Sequence, residues 1–136
     1  MRTKGVVRAA AVVVGIEGIA LVALAAWQII AITTGDTVSL VSALALVILT
    51  AVGAAAVLAF AIAIWRELSW GRSGGIVTQV LILAVALGAV TGTYGHPATG
   101  LVLAIPAIVA LVLLVIAVRN AGRDVSGRDG RDAASG

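Results

Sequence analysis

Glu17 is the one acidic residue inside a long apolar run, Val6 to Thr34, VVRAAAVVVGIEGIALVALAAWQIIAITT. A carboxyl group at bilayer depth has two established uses. It exchanges protons or cations along a transport path, or it stays protonated and holds a neighbouring helix by a hydrogen bond. At about 100° per residue, Gln28 falls within about 20° of Glu17 on the same helix face. Gln79, in a later apolar run, is placed at a similar depth on a helix running in the same direction. A Glu17–Gln79 hydrogen bond is therefore geometrically open, with Thr78 or a backbone carbonyl as other partners. The four predicted spans, the first starting at about Ala9, supply no second acid and no base, which weights Glu17 toward the hydrogen-bonding role.

The other residues capable of chemistry are isolated. His96 is the single histidine, and only Asp36 shares its side of the bundle, so no metal set forms; a role at the start of the fourth helix fits it better. The chain has no cysteine and therefore no thiolate, disulfide or cysteine metal site. Gly71-x-x-Gly74-Gly75 lacks the strand and lysine of a phosphate loop and reads as a flexible turn. No Ser-His-Asp, Cys-His or paired-carboxylate set shares one end of the chain's spans, so neither an enzyme nor a cofactor is expected.

The elements that must position these residues are apolar helices. Of 136 residues 62% are hydrophobic and 11% charged, and the mean hydropathy is +1.20. The apolar residues fall in four blocks, each near the roughly 20 residues that cross a bilayer. Helices are predicted over about 9–32, 38–65, 76–93 and 98–118, the fourth opening after His96 with Pro97 in its first turn and carrying Pro106 as a kink. Residues 1–122 form one all-α, four-helix transmembrane domain, an antiparallel bundle. Residues 123–136, which repeat Arg-Asp among glycine and serine, are expected to be disordered. The basic start and Ala23-Leu24-Ala25 imitate a signal peptide, but Glu17 interrupts its apolar core and no polar segment precedes the small residues, so the run is expected to remain as a span.

All nine lysines and arginines precede helix one, lie between helices two and three, or follow helix four. Four crossings put those groups on one side, and the positive-inside rule makes both termini cytoplasmic. The basic charge thus flanks a membrane and does not indicate nucleic acid. Trp27, Trp65, Trp70 and Tyr94 are expected at the headgroup level. Small residues four apart are expected to pack the bundle: Ala11 and Gly15, with Gly18 nearby, on helix one, Ala51, Ala55, Ala59 and Ala63 on helix two, and Ala84, Gly88 and Gly92 on helix three.

Four spans with one glutamate in the first resemble the small multidrug resistance exporters, a resemblance that implies proton-for-drug exchange at Glu17. The Arg-Asp tail and the one-sided charge are foreign to that family. The Ala/Val/Gly-rich spans, the preference for arginine over lysine, and the segment Arg66-x-x-x-Trp70-x-Arg72…Gln79 resemble the small four-helix integral membrane proteins common in actinobacteria. That resemblance implies a fold and no activity. The expected role is a non-enzymatic accessory or interaction protein of the cytoplasmic membrane, in contact with lipid and with a membrane-protein partner or a second copy. The alternative is a small proton-coupled transporter using Glu17.

Overall fold

A computed structural model of the chain describes residues 2–92 and 95–135. Its four helices are α1 (Arg2–Thr33), α2 (Leu40–Trp65), α3 (Ser69–Thr91) and α4 (Pro97–Ser135). Each is long and apolar enough to cross a membrane. They run up and down in turn. Each helix packs along its sequence neighbours, and α1 packs on α4 to close the ring, so α1 and α3 face each other across the diagonal.

Hydrogen-bonded turns set the helix ends. After α1 the chain reverses at Gly35, whose φ of +80° suits glycine, while Gly35 and Asp36 N–H groups donate to the Ile32 and Ala31 carbonyls. Ser39 caps α2 by accepting from the Ser42 N–H at 3.4 Å. The same Schellman pattern ends α2, with Glu67 and Leu68 N–H groups bonded to the Ile64 and Ala63 carbonyls. Here the left-handed position is taken by Glu67, at φ 60°. The His96 carbonyl accepts from the Thr99 and Gly100 N–H groups, and Pro97 holds the first position of α4.

Three expectations need correction. Helix α3 begins at Ser69, so Gly71, Gly74 and Gly75 are helical and not a flexible turn. The reason is packing. A Cβ added at Gly71 would stand 2.5 Å from the Ala63 Cβ and 2.8 Å from the Ile64 backbone nitrogen, so absent side chains let α3 lie on α2 directly after the turn. That contact outweighs the roughly 1 kcal/mol by which glycine disfavours a helix. Helix α1 begins at Arg2, two turns before the expected start, because its lysine and arginines are good helix formers. Helix α4 continues unbroken through Pro106 to Ser135. The 123–135 segment is thus helical, with exposed side chains. The i, i+4 series Asp124, Arg128, Asp132 favours a helix there. Thr93, the expected end of helix three, and Tyr94 lie outside the described residues.

The core lies toward one end. Val7, Ala10, Ala11 and Val14 of α1, Val57, Ala61 and Ile64 of α2, and Ala110, Leu114 and Ala117 of α4 form one buried cluster in the half nearest the chain ends. On α1 the buried positions stop at Gly18, and on α2 they start at Ala54. Farther toward the 34–39 and 92–96 connections, Leu21, Ala25, Gln28 and Ile32 of α1 and Ala43, Val47 and Thr50 of α2 are only half-buried. In that half the described buried residues are Ala86 and Gly100, where α3 meets α4. The pairs α1–α2 and α3–α4 therefore bury each other well only at the terminal end.

Candidate functional site

Glu17 and Gln79 meet where the packed half ends. Gly18, beside Glu17, is buried against Leu58 of α2; a Cβ there would come within 2.6 Å of the Leu58 side chain. Gly15, one turn earlier, faces Ala61, whose Cβ would lie 3.8 Å from a Cβ added there. These two glycines hold α1 close to α2 while the Glu17 side chain points toward the bundle interior. On α3, Gly71, Gly75 and Gln79 follow at four-residue intervals along the buried face. Gly75 lies against Leu114 and Ile64, and Gln79 is fully buried.

Across the diagonal, the Gln79 Nε2 donates to Glu17 Oε2 at 2.7 Å. The two remaining oxygens, Glu17 Oε1 and Gln79 Oε1, are buried without a hydrogen-bond partner. Thr78, the other side chain named for Glu17, instead donates back to the Gly74 carbonyl at 2.9 Å. Gln28 is not part of the site. It shares the face of Glu17 but stands about 16 Å along the helix, and its Oε1 is also buried without a partner.

The small-residue stripes do not all pack the bundle. Ala55 and Ala59 on α2 and Ala84 and Gly88 on α3 are exposed, and nothing stands within 4 Å of a Cβ added at Gly88. The packed face of α2 is Ala54, Val57, Ala61, Ala63 and Ile64, so only Ala63 of the expected stripe is buried, and Val57 and Ile64 offer larger side chains to the core. The cause on α3 is Gln79, roughly opposite Ala84 and Gly88 on the wheel. Leaving its amide in lipid would cost several kcal/mol, more than uncovering a face of small residues, so α3 turns Gln79 inward.

The ends of the bundle carry the interface-type residues. The Arg8 guanidinium stands 5.5 Å from the centroid of the Trp65 ring. Trp70 meets Phe60 edge to face at 5.9 Å, and Arg72 donates to the Glu67 carbonyl at 3.1 Å. At the opposite end Trp27 is exposed and, with Ile30, Ala31, Thr34 and Asp36, lines a shallow hollow. An apolar groove between α1 and α2 is lined by residues that include Val12, Ile19, Ile62 and Trp65. Among the described residues, no three of His, Asp and Glu come together as a metal set.

Reading the chain in order missed the α2–α3 contact. Gly71, Gly75 and Gln79, spaced four apart, carry the signal, but glycines beside a polar break equally suit a turn. The Arg8–Trp65 contact had no local signal, because it joins two helices. No protein-family model, curated protein or solved structure matches the chain.

Proposed function

We infer that the protein is a small, non-enzymatic accessory protein of the cytoplasmic membrane that works by binding another membrane helix. The observation that supports this reading is the outward-facing small-residue stripe Ala51, Ala55 and Ala59 on α2, matched by Ala84 and Gly88 on α3. In lipid, helices associate where small residues allow close backbone approach, because apolar side chains gain little by leaving equally apolar lipid. The thin packing between the two helix pairs at the connection end favours the same reading. Both termini face the cytoplasm in this reading, on the strength of the lysine and arginine distribution.

The test uses the absence of native cysteine. A photo-crosslinker attached to a cysteine at Ala55 or Ala59 should yield a discrete crosslinked product in membranes, either with a second copy or with one partner. The same reagent at Leu49, about 120° round the helix from Ala55, or at Val102, both large and exposed, should not. Products absent from Ala55 and Ala59, or equal at all four positions, would reject the reading.

A second reading, proton-coupled transport at Glu17, is favoured by the unpartnered Glu17 Oε1. Glu17→Gln separates the two. It leaves the Ala55 crosslink intact in the accessory reading and abolishes transport with normal expression in the other.

A further inference from the structure

We propose that Glu17 and Gln79 form a binding site for one proton, which closes a two-bond acid–amide ring and locks α1 to α3 across the bundle. The donor and acceptor count leads there. A glutamate carboxylate only accepts, and a glutamine amide offers two N–H groups and one oxygen. The Gln79 amide is oriented with its Nε2 donating to Glu17 Oε2 at 2.7 Å, which supplies one bond of the ring. Two buried acceptors, Glu17 Oε1 and Gln79 Oε1, then remain without a donor. Gln79 is fully buried, so bulk water does not reach its oxygen.

One proton on Glu17 Oε1 supplies the missing donor and satisfies both atoms together. The ring then has two antiparallel bonds: amide N–H to acid carbonyl, and acid O–H to amide carbonyl. A metal cation fits less well, because it needs several oxygen ligands and the nearby Thr78 hydroxyl is committed to the Gly74 carbonyl.

No other charge among the described residues faces the pair. On α1 Arg8 stands over Trp65, and on α3 Arg72 is turned to the Glu67 carbonyl. α2 has no ionisable residue from Leu40 to Trp65, and α4 has none from Pro97 to Val118. Nothing else is positioned to neutralise a carboxylate there. Loss of the proton leaves a charge and two buried oxygens without a donor at the boundary between the packed half and the thinly packed one. The diagonal should then loosen.

Infrared spectroscopy on the purified full chain in detergent tests this directly. Wild type should show the carbonyl band of a protonated carboxyl at neutral pH. That band should vanish in Glu17→Gln and shift in Gln79→Met, which keeps the length of the side chain without its hydrogen bonds. Raising the pH should convert the band to carboxylate bands. The melting temperature should fall with that conversion by about 5 °C, the scale of one lost buried hydrogen bond in a domain of this size. The direction follows from proton count, since stability falls with pH wherever the folded state holds the extra proton. Glu17→Gln keeps two amide–amide bonds and should show no pH-dependent loss. Carboxylate bands alone at neutral pH would overturn the proposal. So would a band unmoved by Gln79→Met, or a melting temperature raised by sodium in place of a bulky organic cation at fixed pH. These readouts use the isolated chain, so they stand or fall separately from the partner interface at Ala55 and Ala59.

Discussion

Glu67 occupies a left-handed backbone position at φ 60°, where it closes the turn between α2 and α3. A residue with a Cβ pays about 1 kcal/mol there that glycine avoids. Glu67→Gly should therefore raise stability by about 1 kcal/mol, read as a higher midpoint in thermal unfolding. Gln28 presents the opposite case, a polar group whose oxygen is buried without a partner. Its lost hydration is uncompensated in the isolated chain, so Gln28→Leu should stabilise by roughly 1 kcal/mol. A destabilised Gln28→Leu variant in the same unfolding measurement would show that the amide has a bonding role.

At the scale of elements, α3 shows how one polar residue chooses a helix face. Gln79 turned inward brings Gly71 and Gly75 with it and leaves Ala84 and Gly88 outside. Gly88→Leu should fold and resist thermal aggregation like wild type, because the space beside it is open. Gly71→Leu should aggregate at clearly lower temperature, since its side chain would overlap the α2 backbone near Ile64. The reverse order would mean that α3 packs by its small face. The end of α4 behaves differently, because an isolated helix of this length is marginal without tertiary contacts. Removing residues 123–136 should leave the unfolding free energy unchanged within about 0.5 kcal/mol. Amides in that segment should exchange with solvent far faster than those of 107–117.

At the scale of the whole molecule, two helix pairs are joined firmly at the terminal end and only thinly toward the connections. The Glu17–Gln79 bond stands at the junction of those halves. The orientation of this assembly in the membrane is testable with single cysteines. Thiols placed at Thr37 and His96 should react with an impermeant reagent on whole cells, and one at Ser126 should react only after lysis. Labelling of Ser126 on intact cells would reverse the orientation.

Four apolar blocks with polar breaks were enough to specify four helices, because in a bilayer the backbone must satisfy its own hydrogen bonds within each span. The shared depth of Glu17 and Gln79 was legible for the same reason: helix rise and direction follow from sequence alone. The direction each helix turns its faces was not legible. The wheel of α3 offers a small face and a Gln79 face, and local sequence does not rank them; burial of an amide, which depends on finding Glu17 on another helix, does. The glycines at 71 and 75 likewise read as a turn until α2 supplies the neighbour that requires their missing side chains. Sequence determined which segments are helices and which residues share a depth, since both are local properties of the chain. Tertiary structure decided which faces meet, because that choice depends on hydrogen bonds and close contacts between segments far apart in the chain.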